Sequence, residues 1–326
     1  MKLLTYFLLA VGFVLFAVLL MHYGASEVLA GAAAAGWGLL WVTLYRFVNL
    51  AADAQGWRAL FERPRPAFLP MLNYRWIGEA VNSMLPVGQV GGDVVRARLA
   101  TRLGPGGAQA GAATVVDFTL GLMTQFLTAL LAVGLLIQAR GFGRETQAWL
   151  AGLLVAVVVV AAFWAAQHLQ MFGRAARLAG RVRRGSAWES LTGGAAALDS
   201  EVKATYRRHR ALAECTAWRL VSWLFHAGET WLVLWFLDAP VALVATLILE
   251  SLSTAVRSGA FAVPGALGVQ EGGFVLLGPM VGVNAETALA LSLVKRFREL
   301  VIGFAGLLAW MALEHASLAK LVRKSL

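Results

Sequence analysis

The chain is 326 residues long, 59% hydrophobic and only 14% charged, with a mean hydropathy of +0.69; about a quarter of the residues of a soluble domain carry charge. That composition excludes an ordinary soluble enzyme or binding domain and predicts an all-α, polytopic integral membrane protein. The net charge of +10 lies in Lys and Arg gathered between apolar runs, which suits an anionic cytoplasmic leaflet; no aromatic-and-basic motif accompanies it, so nucleic acid is not an expected partner.

Six apolar runs are long enough to cross a bilayer, which takes roughly 17–25 residues each: Leu3 to Met21, Val28 to Val48, Ala108 to Ile137, Gln147 to Ala166, Ala211 to Leu237 and Phe297 to Leu313. The first is longer than the apolar core of a secretory signal, about 7–15 residues, and reads as a retained span. Two further runs, about 71–99 and 241–282, are broken near the middle. Leu85-Pro86-Val87-Gly88-Gln89-Val90-Gly91-Gly92-Asp93 interrupts the first, and Val263-Pro264-Gly265-Ala266-Leu267-Gly268-Val269-Gln270-Glu271 interrupts the second on the same plan. Proline and several glycines break a helix, and the short arms predict two re-entrant hairpins, each entering and leaving the membrane on one side.

Loop charges set the orientation, because Lys and Arg concentrate in cytoplasmic loops. The loop after the first span has neither residue and faces out. Arg58, Arg63 and Arg65 before the first hairpin, and Arg96, Arg98 and Arg102 after it, place both its ends inside. The segment 174–210, with Arg174, Arg177, Arg181, Arg183, Arg184, Lys203, Arg207, Arg208 and Arg210, is cytoplasmic, and so are both termini. Lys295, Arg296 and Arg298 are the exception, falling at the outer part of the last span. The result is an inverted repeat: residues 1–140 form one membrane half and residues 141–326 the other. Aligning Pro86 with Pro264 brings Glu79 onto Arg257, Asp93 onto Glu271 and Asp117 onto Lys295.

A charge at the centre of a spanning helix costs at least about 2.5–3.5 kcal/mol, so Glu79, Asp93, Asp117, Arg257, Glu271, Lys295 and Arg296 are expected to face one another or a wet cavity. The repeat predicts that Glu79 pairs with Arg257 and Asp117 with Lys295 or Arg296, while Asp93 and Glu271 crowd two carboxylates together. Two readings stay open: a central site for a charged headgroup or coupling ion, or ion pairs that pin the hairpins to the bundle. With the loop residues Pro86, Gly88, Gly91, Gly92, Pro264, Gly265 and Gly268, and with Arg96, these charges make up the candidate binding or coupling set; glycine-lined close packing is the competing account of the loops. His226 and Glu229, one turn apart, read as a packing pair without a third ligand. Trp57, Trp76 and Trp310 lie near span ends and are expected as interfacial anchors.

One cysteine, Cys215, excludes an intramolecular disulfide, and five scattered histidines have no metal-ligand spacing. Gly104-Pro-Gly-Gly107 lacks the Lys-Ser or Lys-Thr of a nucleotide loop, and Ser251 and Ser253 have no nearby histidine to activate them. No catalytic residue, metal or cofactor is expected, and the chain does not read as an enzyme.

The two loop motifs, Asn82 to Arg96 and Val263 to Gly272, resemble those of the lysylphosphatidylglycerol synthase transmembrane family, the flippase-like membrane region that in some bacterial proteins is fused to a lipid aminoacyl-transferase. The similarity runs over most of the chain; size and alanine content also look like the stand-alone branch linked to hopanoid biosynthesis. The resemblance implies movement of a polar-headgroup or anionic lipid between leaflets of the bacterial cytoplasmic (inner) membrane. With no synthase portion expected after Leu326, aminoacyl transfer is not carried over. The alternative is a non-transporting membrane partner of a lipid- or hopanoid-modifying enzyme.

Overall fold

The computed structural model describes residue 21 and residues 35–85, 90–174, 186–260 and 266–325, and among these it is helical with no strand. Helix α1 is Gly38–Ala59, α2 Phe68–Met84, α3 Gly91–Ala100, α4 Gly107–Arg140, α5 Arg144–His168, α6 Ser186–Tyr206, α7 His209–Phe236, α8 Leu243–Gly259, α9 Val269–Leu277 and α10 Ala285–Ser325. The expected spans at 108–137, 147–166 and 211–237 are α4, α5 and α7. Each broken run is a pair of helices, α2 and α3 in the first and α8 and α9 in the second. The spans expected at 3–21 and 28–48 begin outside the described residues, as do Pro86, Gly88, Pro264, Gly265, Arg177, Arg181, Arg183 and Arg184.

Local chemistry sets the helix ends. Gly141, at φ +83°, closes α4 by donating its N–H to the Ile137 carbonyl at 2.7 Å, the left-handed exit that glycine permits without strain. Asn284 caps α10, its side-chain oxygen accepting the Thr287 N–H at 2.7 Å. The last apolar run is longer than its expected span: α10 starts at Ala285 and carries Lys295, Arg296 and Arg298 well inside the helix.

The chain divides into two compact units that interleave in sequence. The first takes Met1–Val48, Asn73–Arg96 and Phe225–Leu326, the second Asn49–Leu72 and Ala97–Leu224. Each draws on both sequence halves.

In the first unit, small residues let helices close up. A Cβ on Gly92 of α3 would lie 1.9 Å from the Gly78 carbonyl oxygen of α2, and the Gly92 N–H donates to the Asn82 side chain at 2.7 Å. A Cβ on Gly303 or Gly306 of α10 would fall 2.6 Å from Met84 or Ala80 of α2, and Trp76 donates its indole N–H to the Ile302 carbonyl at 3.0 Å. Close approach of this kind is how helices pack where no water drives them together. Helix α9 packs on both α8 and α10.

In the second unit α4 packs on α5 and α6. The hydroxyls of Thr114, Thr119, Thr124 and Thr128 each donate to the carbonyl four residues earlier, which satisfies them within the helix. A polar relay joins the three helices: Tyr206 donates to Gln167 and Gln167 to Thr119, both at 2.8 Å. Burial pushes the Tyr206 hydroxyl pKa up, so it stays a donor. Both α4 and residues 149–168 of α5 are long and apolar enough to cross a membrane, and α5 turns Leu154, Val155, Val158 and Val159 outward. An exposed aliphatic face on a helix of this length is a lipid-facing surface.

Candidate functional site

The candidate site is a chain of alternating charges in the first unit. Its open end is Glu79 on α2, whose carboxylate accepts from Arg46 of α1 at 2.6 Å. Arg46 also reaches the Nδ1 of His226 at 3.1 Å and Glu229 at 3.7 Å, both on α7. Glu229, 1% exposed, is shared with Arg298 of α10 at 3.2 Å. Arg298 lies 3.9 Å from Glu299, which Arg257 of α8 contacts at 2.6 Å and Arg296 at 3.1 Å. Arg296 ends the line on Glu271 of α9 at 2.9 Å. Four arginines thus alternate with four glutamates across α1, α2, α7, α8, α9 and α10.

Burial is graded along this line. Glu79 and Arg257 are 23% and 28% exposed, while Glu229 and Glu271 are closed in at 1% and 0%. Lys295 makes a separate buried pair with Glu250, which also accepts from Thr230 at 2.6 Å. The carboxyl oxygen Oε2 of Glu271, the Gln270 side-chain oxygen, and the hydroxyls of Ser251, Ser253 and Ser292 are buried and make no hydrogen bond to the described protein. They lie on α8, α9 and α10, so this packed trio carries polar atoms with unused hydrogen-bonding capacity.

Of the residues singled out from sequence, Glu79, Arg257, Glu271 and Arg296 come together in this network, with Lys295 on the same helix. The expected direct pairs are not what forms. Glu79 takes Arg46, and four charges stand between it and Arg257. Asp117 lies in the second unit and pairs with Arg219, while Lys295 takes Glu250 and Arg296 takes Glu271. The repeat alignment matched positions, whereas each buried charge takes the nearest opposite charge on a packed neighbour, which minimises its desolvation penalty. Asp93 is held by Arg96 on its own helix at 2.8 Å. Gly92 has the close-packing role just described, and Gly268 caps α9 at φ +75°, a left-handed geometry that favours glycine.

The same pairings resolve the exception to the charge rule: Lys295, Arg296 and Arg298 neutralise buried acids and are not loop charges. Sequence reasoning missed Arg46, Glu250 and Glu299, although the cost of an intramembrane charge was a signal that applied to each. His226 and Glu229, read as a packing pair, are the centre of the line. Trp57, expected at an interface, is fully buried against Phe61, and Trp76 is a helix-to-helix contact.

The second unit has its own buried charges. Arg219 of α7 donates to Asp53 of α1 at 3.0 Å and to Asp117 of α4 at 3.1 Å, and the Cys215 sulfur lies 3.7 Å from Asp117. Nearby, Arg65 forks onto both carboxylate oxygens of Glu214, each at 2.7 Å, and this bond raises the guanidinium pKa above its ordinary value.

A family model described as the lysylphosphatidylglycerol synthase TM region matches residues 6–306. Neither the curated proteins nor the solved structures yield a match.

Proposed function

Because the chain belongs to the lysylphosphatidylglycerol synthase transmembrane family, a membrane family with a lipid-related role, we propose that it is a lipid transporter, a flippase that moves a polar-headgroup lipid between the leaflets of the bacterial cytoplasmic membrane. The observation that carries this reading is the alternating charge line of the first unit, which runs from a partly open end at Glu79 to a closed end at Glu271, with a second partly open member, Arg257, branching from Glu299. Its four positive and four negative charges balance, so it offers no standing excess to trap an ion. A headgroup gains a place there by exchange: its phosphate replaces a carboxylate on Arg46 or Arg257, or its ammonium replaces an arginine on Glu79. Each exchange leaves the next member of the line with a new partner, which keeps the cost of a buried unpaired charge low as the headgroup advances. The acyl chains stay in lipid. No bond is made or broken, and the chain acts as a carrier and not as an enzyme.

Reconstitution into liposomes with a headgroup-labelled lipid reads the activity directly. Wild type is expected to expose the label to an outside quencher, and the Glu79→Gln, Glu271→Gln double variant to do so about tenfold more slowly. Equal rates would remove these carboxylates from the mechanism, and no transfer by wild type across a panel of anionic, zwitterionic and cationic lipids would overturn the reading.

The two interrupted helices act, in this proposal, as re-entrant hairpins of an inverted repeat of six spans, with both termini cytoplasmic. After replacement of Cys215 by alanine, single cysteines at Arg102, beside the first hairpin, and at Asp238, in the Asp238-Ala239-Pro240 turn before the second hairpin that carries no Lys or Arg, are expected to react with an impermeant thiol reagent from the inside and the outside respectively. Labelling of both from the same side would sink the repeat.

A further inference from the structure

A cavity of about 770 Å³ opens in the second unit between the α1–α2 connection and the start of α7. Its walls are held by fixed bonds: Arg65 is forked onto Glu214, Arg208 donates to the Phe61 carbonyl at 3.0 Å, and Arg58 braces the connection by donating to the Pro66 carbonyl at 2.7 Å. Two further lining arginines, Arg63 and Arg210, are exposed, and neither is tied into an ion pair among the described residues. Four arginines face two glutamates, an excess of two positive charges, and one of those glutamates, Glu62, is 67% exposed. The first turn of the 28-residue α7 joins them at the rim, adding the partial positive charge of a helix N-terminus.

We infer that this cavity is a phosphate-binding site. A phosphate dianion carries the two charges that the cavity leaves uncompensated, and the guanidinium fork matches its oxygens in pairs. The division of labour among the arginines supports this. Arg65 and Arg208 are spent on shaping the wall, and Arg63 and Arg210 project from two different segments, held in position by that wall, with their donors available. The cavity adjoins Ala211, where the apolar run of α7 begins, so the phosphate can belong to a lipid headgroup or arrive as a soluble ion. The site shares no residue with the charge line of the first unit, and its occupancy is read by binding alone, so it stands or falls apart from the transport proposal.

The test uses the full chain in phosphatidylcholine nanodiscs at low ionic strength, with phosphatidic acid and inorganic phosphate as probes. Wild type is expected to bind phosphatidic acid, and Arg63→Gln with Arg210→Gln to weaken that binding about tenfold with an unchanged melting temperature. A charge-matched control, Lys203→Gln with Arg207→Gln, removes two positive charges outside the cavity and is expected to change binding by less than about twofold. If inorganic phosphate competes, a free phosphate suffices for recognition; if phosphatidic acid binds and phosphate does not compete, the site takes a lipid headgroup. Equal weakening by the control pair would show diffuse surface attraction and overturn the assignment, as would equal binding by wild type and the cavity variant, or binding of neither probe to wild type.

Discussion

The two compact units bury charge in opposite ways. In the second, one guanidinium holds two carboxylates, Arg219 between Asp53 and Asp117, and all three are nearly closed off. In the first, eight charges are linked in alternation, partly open at Glu79 and Arg257 and closed at Glu229 and Glu271. A buried triad that shares one guanidinium has few ways to rearrange without stranding a charge, so it fastens helices at a fixed place. A line can pass a partner along, because its inner members Arg46, Glu229, Arg298, Glu299 and Arg296 each touch more than one opposite charge. Buried charge in a membrane helix is therefore a poor guide to function until its connectivity is known, and connectivity is what distinguishes the two units here.

The largest effect should come from cutting the fastener. Arg219→Met leaves two carboxylates facing an apolar side chain and should cost about 3–5 kcal/mol, read as a large fall in melting temperature and in folded yield from detergent. If that variant folds normally but stops transport, the contrast between the units is wrong and the triad belongs to the mechanism. A middling effect is expected at Gly92, where alanine would drive a methyl group into the Gly78 carbonyl; separating α2 from α3 should cost about 1–3 kcal/mol, and a melting temperature equal to wild type would show that this hairpin has slack. The smallest belongs to an open part of the line. A double-mutant cycle on Arg257→Gln and Glu299→Gln should give a coupling of about 1 kcal/mol, since Arg257 is partly exposed and Glu299 keeps Arg296 and Arg298 beside it. A coupling several times larger would make it a second fastener.

The class of protein, the places where helices break and several members of the charge line were legible in the sequence, because composition, proline–glycine clusters and the cost of intramembrane charge are properties of single segments. Pairing was not. Glu79 has Arg46 as partner 33 residues earlier in the chain, and no periodicity says which face of α1 turns toward α2. Arg46 also escaped notice because it sits at the end of a run whose apolar length alone identifies a span. Glu250 and Glu299 were hidden similarly, one in an arm of a hairpin and one among neighbouring basic residues that drew attention to a loop. Nearness to a span end predicts an interfacial Trp57, whereas the structure packs it against Phe61. The interleaving of the compact units was invisible for the same reason as the pairing, since it depends on which segments meet.

The contact between α2 and α10 has a mechanical consequence. Trp76 bonds to the carbonyl of Ile302 while Gly303 and Gly306 receive Met84 and Ala80, so the two helices are meshed at three successive points like a rack and its pinion. Sliding by one helical turn, about 5.4 Å, would break the indole bond and push side chains into backbone at both glycines. Glu79, between two of these teeth on α2, and Arg296, Arg298 and Glu299, just before them on α10, must then travel together, as marks on one ruler. Whatever motion the first unit makes, the spacing between those marks stays constant.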